Sequence, residues 1–469
     1  MRHSPARTAA ITLLAGGAAL LLAGQAGKRA APADDVQRRR KLRVVVVGAG
    51  FGGLSVAEGL ADAPEIELTI VDATNHHLFQ PLLYQVATAA LSPADIAAPI
   101  REILPAAKDV RVLLAKVTGI DASRREVKCD DGRRIPYDKL VLATGSEPSY
   151  FGQPDWAEAA PSLKTLEDAL RLRNMGIAAL ERAALTRDPR EQERLLTFVL
   201  IGGGPTGVEM AGAIGGFVRD RLEHVYGLPS RRARVLLVEA GPRILAAFDP
   251  SLSRHAVEDL RGLGVEVRTG TKVTDLGPGR VHLGAEEIHT ENIVWTAGTT
   301  ATPVATWLGV TPGHGGRVEV GPDLSVPGLK DVFVIGDVAL ARDGKGDPLP
   351  GLAPVAKQQG HHLARALLAE VRHGRALPRF RYVDYGTLAT IGRGKAVAEI
   401  GPAKLSGETA WLMWAGAHIF FLISFRNRLV VSLEWAFAYS TRARGAALLI
   451  QGEPGGTLEP GERHKALKA

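Results

Sequence analysis

Two glycine-rich segments carry the clearest chemistry in this chain, GAGFGG at Gly48 to Gly53 and GGGPTG at Gly202 to Gly207. In each the glycines recur with GxGxxG spacing. Gly48, Gly50 and Gly53 in the first, and Gly202, Gly204 and Gly207 in the second, allow a sharp turn and a backbone bare of side chains. Bare amides at the start of a helix attract anions, because the aligned peptide dipoles leave positive charge there. The chemistry this suits is the holding of a pyrophosphate. Downstream of each segment an apolar run ends in an acid, Leu68 to Val71 before Asp72 and Val235 to Val238 before Glu239. A carboxylate so placed accepts hydrogen bonds from the ribose hydroxyls of an adenosine. One such segment also fits an ordinary tight turn. Two, each with its acid, point to two dinucleotides bound by one chain.

Other residues extend or restrict this chemistry. VFVIGDVA, Val332 to Ala339, reads as a strand running into Gly336-Asp337, where an aspartate either reaches the sugar-alcohol hydroxyls of a cofactor or caps a helix. LAPVAKQQGHHLARALLAEV, Leu352 to Val371, has helical apolar spacing, with Pro354 suited to the first turn. Its positive N-terminal end suits a reduced, anionic ring. Pro354 and Gln358 share a face, whereas Gln359 is rotated about 100° away, so Gln358 alone is expected to face a cofactor. Cys129 is the only cysteine, which excludes an intrachain disulfide and any redox dithiol. It reads as a half-buried structural thiol before the Asp130-Asp131-Gly132 turn. His76 and His77 are adjacent, a poor arrangement for one metal ion, and no metal site is expected.

The elements that must position these residues emerge from the same runs. Val44 to Val47 and Phe198 to Ile201 predict the strands before the two glycine turns, and each turn leads into a helix. VLATG, ending in Thr144 and Gly145, and IVWTAG, Ile293 to Gly298, predict matching exit strands, so the two halves repeat one plan. The expected fold class is α/β, two Rossmann-like dinucleotide-binding domains plus a C-terminal helical segment. The expected domains are an N-terminal apolar segment and linker at 1–40, the first nucleotide domain at 41–161, the second at 162–300, a return to the first at 301–400, a C-terminal region at 401–452 and a polar tail at 453–469.

Net charge is +7, with 57 Lys and Arg against 50 Asp and Glu, which favours anionic partners. The basic residues are dispersed and carry no aromatic-plus-basic signature, so nucleic acid is not an expected partner. Anionic lipid fits better. Thr409 to Phe425 holds no charged residue, and Trp411, Trp414 and Trp435, three of the six tryptophans, lie in or near it beside Arg426 and Arg428. Such a segment, 409–450, suits a membrane surface, although its uncharged run sits at the lower limit for a span. The run Thr8 to Ala26 reads as an anchor, a signal or an upstream extension, and its heavier basic flank, Lys28 to Arg43, places the folded part on the cytoplasmic face of the cell membrane. A homodimer is compatible with the sequence.

With these residues assembled, the chain resembles the type II NADH:quinone oxidoreductases over about Lys41 to Ile450. The likeness rests on GAGFGG, NHHLFQPLLYQVAT, GGGPTGVE, VFVIGDVA, APVAKQQG and the tryptophan-rich C-terminal stretch. It implies FAD on the first fingerprint and NADH on the second, with hydride transfer from NADH to FAD and two-electron reduction of a membrane quinone. Carried over by residue, Gly48, Gly50, Phe51, Gly52, Gly53, Asp72, Gln80, Thr144, Gly145, Gly336, Asp337, Ala356 and Lys357 line the FAD site. Gly202, Gly204, Gly207 and Glu239 bind NADH. The likeness also gives catalytic parts to Glu209, placed near the nicotinamide and flavin, and to Gln358, which matches the second glutamine of the family's AQxxxQ motif. Pro354 stands where the first glutamine belongs. Two other functions share the two-nucleotide plan: an NAD(P)H-dependent reductase of a small iron-sulfur protein, and a slow flavin and NADH-binding redox sensor.

Overall fold

The computed structural model describes residues 40–104, 108–441 and 446–449. The expected N-terminal anchor and the polar tail lie outside the described residues. Contacts divide the chain between Arg40 and Lys41, and the fold belongs to the second unit.

The first sheet begins with β1 (Leu42–Val47), which turns at Gly48 into α1 (Phe51–Leu60) and returns as β2 (Ile66–Asp72). β3 (Val110–Leu114) and β4 (Lys139–Leu142) come next. The β-branched run of β1 is buried from Val44 to Val47, as a parallel strand covered on both faces requires. Val44 pairs with Leu68 on one side and with Lys139 on the other. The chain then leaves this sheet through α2 (Leu166–Leu185), whose start is fixed by a reciprocal Thr165–Asp168 capping box.

The second sheet repeats the plan with β5 (Thr197–Ile201), α3 (Pro205–His224), β6 (Arg234–Val238), β7 (Val265–Arg268) and β8 (Asn292–Trp295). Its order is β7-β6-β5-β8, parallel throughout. After it, β9 (Val332–Val334) rejoins the first sheet and completes the order β9-β4-β1-β2-β3. In both sheets the fingerprint strand lies where the order reverses. Helices on either side of that point diverge and leave a crevice at the strands' carboxyl ends, where α/β proteins bind ligands. α4 (Ala353–His373) then packs across α1.

The chain ends in a third unit. β10 (Thr387–Gly392), β11 (Lys395–Ile400) and β12 (Ala403–Ser406) form an antiparallel sheet that packs on α3 and on α5 (Gly407–Phe421). The expected boundary at 400/401 cuts the β11–β12 hairpin, so the unit begins nearer Thr387. Its strands read weakly as a sequence because small alanines interrupt their apolar runs, so they show neither a continuous β-branched stretch nor a clean alternation. α6 (Phe425–Thr441) comes after α5 and a break at Leu422 to Ser424, with Ser424 at φ +67°. The uncharged run Thr409 to Phe425 is therefore not one helix. The 15 residues of α5 span about 22 Å, short of a hydrocarbon core of about 30 Å. Among the described residues no helix is long and apolar enough to cross a membrane.

Backbone contact joins the third unit to the second: a Cβ on Gly212 of α3 would stand 1.6 Å from the Ile391 carbonyl oxygen of β10. Gly212→Ala must push helix and strand apart, at a cost of about 2–3 kcal/mol. The expected result is a thermal midpoint lowered by about 2–3 °C in a melting experiment, given the unfolding entropy of a chain this long.

Candidate functional site

Both fingerprints use their three glycines in the same way. A Cβ on the first would strike the exit strand, with Gly48 at 2.4 Å from Ala143 O and Gly202 at 2.6 Å from Ala297. Both residues also sit at positive φ, +94° and +112°. A Cβ on the third would lie 1.8 Å from the first glycine's own carbonyl oxygen, Gly53 against Gly48 and Gly207 against Gly202. The middle glycines, Gly50 and Gly204, meet nothing within 4 Å. They are the N-caps of α1 and α3, and no side chain caps either helix. Each turn thus presents first-turn amides to open space, which fits a pyrophosphate and leaves no room for a side chain in its place. Gly52 differs: its Cβ would meet Ile335 and the Ala356 carbonyl oxygen, so its bareness serves the crossing of α1 and α4.

The acids do more than await a ribose. Asp72 accepts from Ala49 N at 2.6 Å through one oxygen and from Thr74 N at 2.7 Å through the other. Glu239 accepts from Gly203 N and Gly241 N, both at 2.6 Å. Each carboxylate holds the glycine turn in shape while keeping lone pairs for hydroxyl donors. His77 braces the first turn as well. It is buried, its Nδ1–H donates to the Ala49 carbonyl oxygen at 2.8 Å, and its ring meets Phe51 edge-on. Burial pulls its pKa down to about 4, so the ring is neutral at physiological pH. Adjacent histidines gave no sequence signal for this bracing, because Ala49 comes near only through the fold.

Opposite the first turn, Gly336 at φ +74° begins the short turn that carries Asp337. Gly336 N–H donates to Gln359 Oε1 at 2.7 Å, and Gln359 is 1% exposed. Gln358 instead turns outward. Its Nε2 donates to Val383 O at 2.8 Å and its Oε1 accepts from Val383 N at 2.9 Å. The structure thus brings Gln359, and not Gln358, to the Gly336 turn. Helical spacing separated the two residues rightly, yet which face turns inward was set by the packing of α4 on α1. Ala356 is buried beside Gly52, whereas Lys357 lies half-buried over the Phe421 ring of α5. Its pKa is lowered by burial and partly restored by Glu58. Gln80 Nε2 donates to the Lys164 carbonyl at 3.2 Å, and Thr144 and Gly145 each bond with Thr302.

Glu209 lies one turn into α3, and the Thr390 N–H of β10 is near it at 3.4 Å. Loss of water pushes this carboxyl up to about 8, an effect the weak Thr390 bond only partly opposes. Among the described residues no cluster of His, Cys, Asp or Glu could hold a metal ion. Cys129 ends a strand, Glu126–Cys129, as expected, but is buried, not half-buried.

Residues 42–360 match the family described as pyridine nucleotide-disulphide oxidoreductase, and residues 385–440 match the NDH2 C-terminal domain. The chain is 38% identical over 424 residues to the type II NADH:quinone oxidoreductase Ndh of Mycobacterium tuberculosis, covering 87% of this chain and 90% of that protein. It is 32% identical to the mitochondrial internal alternative NAD(P)H-ubiquinone oxidoreductase A1 of Arabidopsis thaliana, with 84% and 83% covered. The structure of NDH2 from Plasmodium falciparum in complex with NADH has the same fold. Its TM-score is 0.80 at 19% identity, covering 88% of this chain and 100% of that one.

The carboxyl of Glu209 generates a pH signature. Below its ordinary value of 4.5 it is protonated whether the chain is folded or not. Between 4.5 and about 8 the unfolded chain releases the proton that the folded protein keeps, so this group makes stability fall as pH rises through that window. Glu209→Gln removes the effect. Within that window the variant is expected to lose the downward slope, of order 1 kcal/mol per pH unit, that the natural chain shows in paired denaturation curves.

Proposed function

The chain belongs to the type II NADH:quinone oxidoreductases, and from that premise we propose how its residues share out the work. It is an FAD-dependent enzyme that oxidises NADH and reduces a quinone. The observation that carries the assignment of sites is the pair of glycine turns with open middle glycines, one at each switch point. In this reading FAD lies along the first sheet, over Gly50 and Asp72 toward Asp337, and NADH lies along the second, over Gly204 and Glu239. Bound flavin supplies the hydride acceptor and the two-electron chemistry. The protein supplies position: in this reading the two crevices, built on one plan, stack the reactants, and that needs no nucleophilic side chain.

Glu209 stays protonated at neutral pH and so offers a proton, not a charge, where α3 meets β10. The lone buried Cys129 is consistent with a quinone acceptor, since a dithiol route needs a second thiol. The paired backbone bonds of Gln358 support a role as an anchor for the segment around Val383.

The arrangement around Glu239 favours NADH over NADPH. Its carboxylate faces the position of a 2′-phosphate and would repel it. Arg243 cannot compensate, because its guanidinium is held by the Leu245, Phe248 and Ala246 carbonyls and by Ser253. Arg231 and Arg232 precede β6 whereas Glu239 comes after it, roughly 16 Å away along the strand. We expect kcat/KM for NADH to exceed that for NADPH at least tenfold in steady-state assays. Equal values would overturn this reading.

The membrane reading rests on α5 and α6. Phe420, Phe425, Leu429, Leu433 and Phe437 are each at least half exposed, and Arg426 and Arg428 sit among them. Apolar side chains flanked by arginine suit the boundary between headgroups and acyl chains of the cytoplasmic leaflet. Truncation would strip the core, since Ala410 and Trp414 of α5 are buried. Point changes avoid that. Phe425→Ser, Leu429→Ser and Leu433→Ser together are expected to lower co-sedimentation with anionic vesicles at least fivefold. NADH oxidation with a water-soluble acceptor is expected to stay within twofold of the natural chain.

A further inference from the structure

Lys164 was not among the residues that the sequence pointed to, yet it sits at the meeting of three parts of the site. Its Nζ is 2.9 Å from Ser146 Oγ, just past Thr144 and Gly145 at the exit of the first sheet. The Ser146 hydroxyl in turn donates to Asp337 Oδ2 at 2.9 Å. The Lys164 ammonium itself stands 3.9 Å from that oxygen, near enough for attraction and too far for a hydrogen bond. Its backbone is pinned on both sides: the N–H donates to Asp168 Oδ2 at 2.9 Å, and the carbonyl accepts from Gln80 Nε2.

An ammonium has three donors, and among the described residues only Ser146 Oγ lies within hydrogen-bond distance of this one. The side chain is 21% exposed. Burial lowers its pKa, and Asp337 opposes that shift. Its remaining donors are therefore open to an acceptor supplied from outside the chain, a ligand or water. The neighbouring Asp337, Thr144, Gly145 and Gln80 are the residues assigned to the lining of the FAD crevice.

We infer that Lys164 is the charge-compensating residue of the flavin site, its ammonium offsetting the negative charge that arrives when NADH delivers a hydride. A hydride brings one proton and two electrons, hence one net negative charge, and NAD+ departs with the balancing positive charge. A fixed cation beside the acceptor makes that arrival more favourable. Ser146 and Gln80 act as positioning residues: one holds the ammonium near Asp337 without a direct ion pair, and the other fixes the turn before α2.

This inference rests on the FAD reading, and the experiment separates the two. The full-length protein, purified in detergent, is compared with Lys164→Met, Lys164→Gln and Lys164→Arg. Two quantities are read: flavin absorbance per protein, and the flavin's equilibrium reduction potential by titration against a reference dye. Bound flavin in all four is expected. The Met and Gln variants are expected to be harder to reduce, with the reduced-to-oxidised dye ratio at half reduction raised at least tenfold, and Arg is expected to restore it to within threefold. Should Met fail to retain flavin, the potential of the Gln variant, which keeps a donor for Ser146, carries the test. An unchanged potential in the uncharged variants, or loss of flavin from all three variants alike, would overturn the role of Lys164. Absence of flavin from the natural chain would overturn the FAD reading itself.

Discussion

The close approach of backbone to backbone at the two glycine turns is the constraint on which the rest of the molecule depends. Gly53 lies against the carbonyl of Gly48, and Gly207 against that of Gly202, at a separation no side chain tolerates. That contact draws the start of each helix onto the end of its fingerprint strand and leaves the middle glycine facing open space. The turns are then held from the side. Asp72 and Glu239 accept amide protons from them, and His77 supports Ala49 from beneath. Residues that look like ligand contacts alone are thus also the bolts of the binding surface, and the crevice is shaped before a ligand arrives.

The same close packing ties the returning helix α4 to the first nucleotide domain and the second nucleotide domain to the C-terminal unit. Gly360 of α4 sits where a Cβ would be 2.3 Å from the Gly52 carbonyl oxygen, and Gly212 of α3 touches Ile391 of β10 in the same manner. Through the first contact α4 brings Gln359 to the Gly336 turn and so places Asp337. Through the second, β10 brings Thr390 beside Glu209. Loss of water raises the pKa of the Glu209 carboxyl and lowers that of the Lys164 ammonium, each held among residues from separate segments.

Much of this was legible in the residues. Parallel strands covered on both faces must be continuous apolar runs, so Val44 to Val47 and Phe198 to Ile201 announced themselves, and the GxGxxG spacing set a turn and a helix after each. The repeat of exit strands gave the second domain. The third unit was less visible: alanines interrupt the apolar runs of its strands, and a boundary drawn from composition fell inside the β11–β12 hairpin. The uncharged run at Thr409 to Phe425 was equally visible, but the break at Ser424 was not, because a serine at positive φ leaves no mark in composition.

What the sequence determined by itself was local: strand, glycine turn, helix and terminal acid, twice, together with a single cysteine that rules out dithiol chemistry. These are properties of neighbours along the chain, where steric and dipole rules act over a few residues. What only the tertiary structure decided was which side chains meet. Gln359 and not Gln358 reaches the Gly336 turn, His77 supports Ala49, and Lys164 joins Ser146 and Asp337 from three distant segments. Helical periodicity states which residues share a face but not which face is turned inward. That is settled when α4 crosses α1 and α2 sets out from the first sheet, because burial of one stripe of each helix fixes the rotation of everything else it carries.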